Sequence, residues 1–307
     1  MISIRSPGRE GEHSNVKIKA LSLVLMAVLL LCGCGQKSET AAAAPAQAVI
    51  APAAQSGMAR PVSTGVAPEQ FGAKGDGIAD DLQALQAAMQ QASASGRPLE
   101  LTAGAVYRFS SCLGLPSGLT IRGNGAVLLS DIQYPDLKED RVAVELMKDS
   151  DDDRAHDVRL ENVTFRAADS CQANYMLRVM LARNVEFVGC TFDCEPNEWG
   201  RCAADLYGGN ENIRFEGCVF RQMTSGVSGG IWVRNWTDRV ESRNIRFQNC
   251  VFYKSGADEL LAVWGWGGAV RDVVLSGCSF YETQTQEALD ADHRPAWFIT
   301  LGQDRKS

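Results

Sequence analysis

The sequence is poor in the residue types and patterns that mark several common functional classes. It has three histidines among 307 residues, and none of its ten cysteines forms the C-x-x-C pair typical of zinc sites. Acidic residues outnumber basic ones, the net charge is −7, and no basic patch is visible, which argues against a nucleic acid partner. The apolar run from Ala20 to Leu31 is too short to cross a membrane as a helix.

What the sequence does contain is one eight-residue pattern in five copies. The starts lie 27, 28, 32 and 28 residues apart, at Val158, Val185, Ile213, Ile245 and Val273. Positions 1, 3, 6 and 8 are apolar, and position 5 is Asn or Gly, which permits a tight bend between two short strands. A period of this length predicts a solenoid, in which each repeat buries its apolar face against its neighbours. Strand, bend, strand and a return of about twenty residues predict coils of a parallel β-helix, stacked about 4.8 Å apart.

Equivalent positions of stacked coils should form interior ladders. One predicted ladder consists of Phe165, Phe192, Phe220, Phe252 and Phe280, and another of Val163, Cys190, Cys218, Cys250 and Cys278. Cysteine packs as a small hydrophobic residue, and here it occupies the slot that Val163 fills in the first copy. We therefore interpret these cysteines as core residues rather than metal ligands.

Each repeat is preceded by another apolar stretch, which predicts a second parallel sheet. Val144, Leu177, Ala204, Ile231 and Leu261 should point inward, so the side chains that alternate with them should point outward. The outward set includes Arg178, Asp205, Tyr207, Trp232, Arg234 and Trp264, with Trp266 just beyond. Exposed aromatic rings among fixed charges suit a sugar chain, because ring faces stack on pyranose rings. The alternative is that loops bury these aromatics as a small satellite core.

Residues 66–89, VAPEQFGAKGDGIADDLQALQAAM, combine glycine turns with the start of an amphipathic helix. The stretch resembles the opening motif of the pectate-lyase superfamily, in which it opens the first coil and the helix caps the solenoid. The resemblance implies an all-β fold, a single-stranded right-handed parallel β-helix with an N-terminal capping α-helix. Asp76, Asp80 and Asp81 then serve turns and the helix start rather than catalysis.

The superfamily includes polysaccharide lyases and polygalacturonase-like hydrolases, which implies a polysaccharide as substrate. Asp258 and Glu259 lie in a segment similar to the GDDxIAV stretch of the hydrolases, although Glu replaces the second Asp and the other polygalacturonase motifs are missing. A hydrolase would pair two of Asp205, Asp258 and Glu259 as acid and base. A lyase would use Arg178 and Arg234 to neutralise a uronate carboxylate. Non-catalytic glycan binding and a structural envelope role are the alternatives.

The N-terminus has the features of a bacterial export signal. Lys17 and Lys19 precede the apolar run, which ends in Leu-Cys-Gly-Cys34 and resembles a lipobox. The resemblance implies cleavage after residue 33, lipidation of Cys34 and a place in the cell envelope, at the outer membrane, facing periplasm or exterior. An ordinary signal peptide that contains cysteine is the alternative. We expect residues 34–64, rich in Ala and Pro, to be a flexible tether, and residues 65–307 to be the β-helix domain.

Two further features leave alternatives open. Residues 149–153 read DSDDD, and alternate acids could hold calcium, but a solvated loop explains them as well, and we expect no other cofactor. Cys112, Cys171, Cys194 and Cys202 fall outside the interior ladder, and export permits disulfides. A Cys194–Cys202 bond competes with Cys171–Cys194, and the sequence does not decide between them.

Overall fold

The computed structural model describes residues 2–4, 17–19, 65–134, 141–147, 153–194, 202–223, 231–235, 241–254, 260–265, 268–282 and 297–302. A 3₁₀ turn spans Pro68–Phe71 and the helix α1 spans Leu82–Ser95. The first strands of the chain are β1 (Ile2–Ile4), β2 (Lys17–Lys19), β3 (Asp76–Asp80), β4 (Leu99–Glu100), β5 (Val106–Phe109), β6 (Leu113–Gly114), β7 (Thr120–Arg122) and β8 (Val127–Ser130). The remaining strands are β9 (Val142–Met147), β10 (Ala155–Glu161), β11 (Thr164–Ala167), β12 (Tyr175–Met180), β13 (Ala182–Val188), β14 (Thr191–Asp193), β15 (Cys202–Gly208), β16 (Glu211–Glu216), β17 (Val219–Met223), β18 (Ile231–Asn235), β19 (Ser242–Gln248), β20 (Val251–Lys254), β21 (Leu261–Gly265), β22 (Val270–Ser276), β23 (Ser279–Glu282) and β24 (Trp297–Gly302).

From β4 onward the strands wind into a right-handed parallel β-solenoid of about six turns, as the repeat predicts. Every third strand returns to the same sheet. Sheet 1 runs from β6 through β9, β12, β15, β18 and β21 to β24. Sheet 2 runs from β4 through β7, β10, β13, β16 and β19 to β22, and sheet 3 runs from β3 through β5, β8, β11, β14, β17 and β20 to β23.

The bend between sheets 2 and 3 is built by the Asn or Gly at position 5 of each repeat. Asn162, Gly189, Gly217, Asn249 and Gly277 all have φ between 52° and 64°. This left-handed conformation strains most side chains but not glycine, and asparagine tolerates it. The same residue choice in every coil therefore turns the chain by the same amount and keeps the strands in register.

The core is a stack of aromatic and aliphatic ladders along the solenoid axis. The rings of Phe165, Phe192 and Phe220 are fully buried and lie parallel, with centroids 4.9 Å apart. The predicted cysteine ladder also lies inside, and the Sγ of Cys218 donates to the carbonyl oxygen of Phe187. A parallel sheet register brings like residues together in each case, so the predicted ladders are confirmed.

The helix α1 covers the N-terminal end of the solenoid. It begins after Asp81, whose carboxylate accepts from the backbone N–H of Lys74 and of Gly75 at 2.7 and 3.0 Å, and it ends at Gly96, which has φ of 63°. Asp76 accepts from two backbone N–H groups of its own turn. The predicted turn role is therefore confirmed for Asp76 and Asp81. Asp80 accepts from the backbone N–H of Leu82 at the start of α1, whereas the Asp81 side chain makes no cap to the helix.

The strands β1 and β2 pair antiparallel with β22 and β24, at the C-terminal end of sheets 2 and 1. Both lie inside the predicted signal peptide, so their contacts belong to the uncleaved chain. Cys34 and the predicted tether lie outside the described residues, and their assignments stay predictions. Among the described residues, no helix combines the length and apolarity that a membrane crossing requires.

Candidate functional site

Three of the predicted outward residues of sheet 1, Arg178, Asp205 and Trp232, lie in one row across the solenoid, and Arg234 pairs with Trp264 in a neighbouring row. The parallel register pairs Glu145 with Arg178, Arg178 with Asp205, Asp205 with Trp232, and Trp232 with Ala262. Neighbouring members are therefore one strand spacing, about 4.8 Å, apart. The alternation inferred from the sequence is confirmed for this row.

Asp205 sits in the middle of the row as the carboxylate of a buried ion-pair cluster. Arg178 Nε donates to its Oδ2 at 3.1 Å, and Arg234 donates from Nε to Oδ1 and from Nη2 to Oδ2, both at 2.7 Å. Asp205 has no exposed surface, and the two arginine side chains are 9% and 8% exposed. A carboxylate held by two guanidinium groups and shielded from water is suited to positioning its neighbours. This geometry does not offer Asp205 to a substrate as an acid or base.

The two arginines are also stacked on aromatic rings. Arg234 Cζ lies 4.1 Å from the ring centroid of Trp232 and 4.8 Å from that of Tyr207. Arg178 Cζ lies 4.9 Å from the Tyr207 centroid and 4.7 Å from that of Tyr175. Burial lowers the pKa of Arg234, but hydrogen bonds and the charge of Asp205 outweigh it and hold that pKa above its ordinary value. The Arg234 guanidinium therefore stays charged, and both guanidinium groups hold the rings that they stack on.

The aromatic side chains of this face are half-buried, which corrects the expectation that they stand fully exposed. Tyr207, Trp232 and Trp264 each keep part of their surface accessible. The physical reason is that the guanidinium groups fill the space between successive rings, while the register also places Trp264 beside Arg234. We call the four residues Tyr175, Tyr207, Trp232 and Trp264 the aromatic strip.

Three other residues predicted for the site have no described position. Asp258, Glu259 and Trp266 lie outside the described residues, as do the acids at positions 149–152. The structure thus brings together Arg178, Asp205, Tyr207, Trp232 and Arg234.

Sequence reasoning missed three features of this face. Tyr175 contacts both arginines, but the apolar stretch that predicts this strand begins at Leu177, two residues after the first residue of the strand in the structure. Cys112 lies against Glu145, and burial together with that carboxylate raises the pKa of Cys112 to about 12. Glu145 is half-buried, so it is the acid of the described row that keeps contact with solvent. Its place in the register was a usable signal for this role.

The cysteines outside the ladder carry thiols rather than disulfide bonds, so neither of the two disulfides considered from the sequence is formed. Cys171 and Cys194 are buried, Cys202 is buried beside Asp205, and Cys112 is half-buried. Burial is the largest cause that raises the pKa of Cys202 well above its ordinary value, with a further contribution from Asp205. A thiol kept protonated in this way is a poor nucleophile.

A second cluster with the same composition lies on sheet 3. Asp193 accepts from Arg166 Nε at 3.3 Å and from Arg221 Nη2 at 3.0 Å. Here the arginines are 42% and 45% exposed, whereas the Asp193 side chain is 7% exposed. The two clusters therefore share their connectivity and differ in the burial of the cations.

The comparisons agree with this architecture. A sequence profile of the family described as rhamnogalacturonase A/epimerase, pectate lyase-like, matches residues 66–280. Two solved structures of PfbA, a surface adhesin of Streptococcus pneumoniae, are each 17% identical, with TM-scores of 0.55 and 0.52. The matches cover 70% and 71% of this chain and 61% and 62% of the adhesin chains, so this chain spans about three fifths of their length. The comparison with curated proteins returned no match. The profile covers more than half of the sequence and carries the family assignment, and the chain belongs to the pectate lyase-like rhamnogalacturonase A/epimerase family.

Proposed function

We propose that this chain is a carbohydrate-active protein of the bacterial cell surface that holds a polysaccharide across the aromatic strip of sheet 1. The observation that carries the proposal is the stacking of Tyr175, Tyr207 and Trp232 around two buried arginines on one face. Rings held in fixed orientations lose little entropy when a ligand stacks on them, and pyranose faces match them in shape. Family membership supports a polysaccharide as the ligand, because the family name refers to a rhamnogalacturonase.

The described charges of this face balance. Arg178 and Arg234 share the carboxylate of Asp205, and Glu145 lies next to Arg178 in the row, so these four side chains carry no net charge. Net charge therefore selects neither an acidic nor a neutral sugar chain, and both belong in the test.

Polysaccharide cleavage, by a hydrolase or a lyase, is the second candidate function. One observation favours it, since the partly accessible carboxylate of Glu145 lies in the row next to Arg178. A carboxylate at that place can exchange a proton with a sugar lying over the strip. Asp258 and Glu259 are the proposed partners in this reaction, and Asp205 supports the arginines.

The proposed location is the envelope, with lipidated Cys34 as the anchor to the outer membrane and residues 34–64 as a spacer. The lipobox-like sequence before Cys34 supports this proposal. PfbA is itself described as a surface adhesin, which agrees with a surface role for a related fold.

A glycan screen on the full chain tests both functions. Uronate-containing and neutral polysaccharides are incubated with the protein, and binding, new reducing ends and absorbance near 235 nm are followed. Binding that Trp232→Ala lowers about tenfold supports the aromatic strip. Tyr281→Ala is the matched control, because Tyr281 is 50% exposed on sheet 3 and should leave binding unchanged.

Cleavage products distinguish the two candidate functions. Reducing ends that Glu145→Gln abolishes while binding persists support the enzyme, and absorbance at 235 nm separates elimination from hydrolysis. If no polysaccharide that binds yields new reducing ends, the function is glycan binding without cleavage. Equal binding by wild type and Trp232→Ala refutes the aromatic strip as the ligand site.

A further inference from the structure

A groove runs along the outer face of sheet 2, on strands that do not contribute to the aromatic strip. One part has a volume of about 400 Å³ and is lined by Glu186, Asn212, Ile213, Arg214, Asn244, Arg246 and Gln248. The adjoining part, of about 450 Å³, is lined by Asp157, Val158, Arg159, Asn184, Glu186 and Asn212. The two parts share Glu186 and Asn212, so they form one groove across β10, β13, β16 and β19. Three strand spacings give it a length of about 14 Å.

The floor of the groove is a ladder of side-chain amides. Asn212 Nδ2 donates to Asn184 Oδ1 at 3.0 Å, and Asn244 Nδ2 donates to Asn212 Oδ1 at 2.5 Å. All three asparagines have φ of 55° to 57°, so their backbones repeat the same conformation on successive coils. The amides are thereby held in place before any ligand arrives, and each keeps a second N–H for a hydroxyl or carboxylate.

Arg246 ends this ladder and carries the charge of the groove. Its Nε donates to Asn244 Oδ1 at 2.8 Å, and no carboxylate of the described chain forms an ion pair with it. The neighbouring Arg214 differs, because it is ion-paired with Glu216 at 2.7 Å and approaches Glu186 at 3.8 Å. On the other side of Arg246 the register places the apolar Val274. One half-buried guanidinium therefore faces the groove with its charge uncompensated.

We infer that this groove is a second ligand site, which binds a short acidic oligosaccharide with one carboxylate on Arg246 and sugar hydroxyls on the Asn212 and Asn244 amides. A guanidinium presents two parallel N–H groups that match a carboxylate. The groove contains no aromatic ring, so recognition here depends on hydrogen bonds and charge rather than on stacking. Glu186 lies where the two parts meet and is ion-paired with Arg159, and Asp157 lines the far part, where its Oδ1 accepts from Asn184 Nδ2. The length fits a short oligosaccharide rather than a long chain. The inference does not rest on the aromatic strip.

Calorimetric titration of the full chain with trigalacturonate tests this site in a Trp232→Ala background, which weakens the aromatic strip. We expect Arg246→Gln to weaken binding about tenfold or more, since a charge-assisted bidentate contact is lost while Gln keeps a hydrogen bond available for Asn244. Arg243→Gln is the matched control. Arg243 lies on the same strand but is exposed and ion-paired with Glu211 at 2.7 Å, so its loss should change the affinity less than about twofold.

Two further probes separate an acidic sugar from a simple anion. The methyl-esterified trimer should bind at least about tenfold more weakly than trigalacturonate, because it lacks the carboxylate. Inorganic sulfate should also bind more weakly, because it cannot use the amide ladder. Equal binding by Arg246→Gln and its parent, equal losses in Arg246→Gln and Arg243→Gln, or sulfate binding as tight as that of the trimer would each overturn the inference. Trigalacturonate binding that falls in Arg246→Gln and stays unchanged in Trp232→Ala separates this site from the proposed function.

Discussion

Asp205→Asn is the substitution that most sharply tests the role of the buried ion-pair cluster. It removes one negative charge with almost no change in side-chain volume. Arg178 and Arg234 then lie next to each other with their shared counter-charge gone, and their side chains are 9% and 8% exposed. The Tyr207 and Trp232 rings stack on them and limit the water that reaches them.

The expected loss in the free energy of unfolding is about 3 to 5 kcal/mol, the range found when one partner of a buried ion pair is removed. The matched control is Asp193→Asn, which removes the carboxylate of the Arg166–Asp193–Arg221 cluster. Those arginines are 42% and 45% exposed, so water compensates them, and the expected loss is about 1 kcal/mol or less.

Equilibrium urea unfolding, followed by far-UV circular dichroism, measures both variants. The midpoint should fall by about 1 M or more for Asp205→Asn and by much less for Asp193→Asn. Equal shifts would refute the argument, because they would show that burial of the arginines does not decide the cost. A small shift for Asp205→Asn combined with full loss of polysaccharide cleavage would return Asp205 to a catalytic role.

Four further substitutions test the coil itself. Phe192→Ala should cost about 3 to 5 kcal/mol in unfolding free energy, because the ring is buried between two stacked neighbours. Gly123→Ala should prevent normal folding, since its Cβ would lie 2.4 Å from a backbone oxygen, whereas Gly217→Asn should cost less than about 1 kcal/mol at a φ of 60°. Asp131→Asn should flatten the acid side of the stability profile. Burial raises the pKa of Asp131, but hydrogen bonds from Ser170 and Arg108 outweigh it and leave the pKa below its usual value. This stabilisation is complete above the unfolded value of about 3.9 and is lost as the pH falls through the folded value.

Each of these expectations has a direct check. Urea unfolding midpoints measure the Phe192 and glycine variants. Tyr281→Ala serves as the exposed aromatic control for Phe192→Ala. A Gly217→Asn variant as unstable as Gly123→Ala would contradict the steric argument. For Asp131, unfolding is measured between pH 5 and pH 2, and a wild-type profile parallel to that of the variant would contradict the linkage argument.

The solenoid could be predicted from the sequence because its information is local and repeated. Each copy carries its own bend residue and its own phenylalanine, so the alignment of five copies already implied the ladder from Phe165 to Phe280. The same alternation placed Arg178, Asp205 and Trp232 outside the core. Side-chain direction in a strand depends on parity alone, which a sequence displays.

Burial outside the core could not be read in the same way. Whether Asp205 meets solvent depends on what lies beside it on adjacent coils, and the two guanidinium groups that enclose it come from positions 27 residues before and 29 residues after it. Cys112 and Glu145 meet because short strands of successive coils are paired, and their spacing in the sequence does not indicate this. The odd or even position of a residue in a strand gives the direction of its side chain, whereas the burial of that side chain follows from contacts between coils.

A crystal structure with a bound oligosaccharide, prepared from the polysaccharide that binds most tightly, tests the central claim most directly. We expect sugar rings over Tyr207, Trp232 and Trp264 on the outer face of sheet 1, with Asp205 still enclosed by its two arginines. Sugar bound solely away from this face, or a substrate atom in hydrogen-bond contact with Asp205, would contradict it.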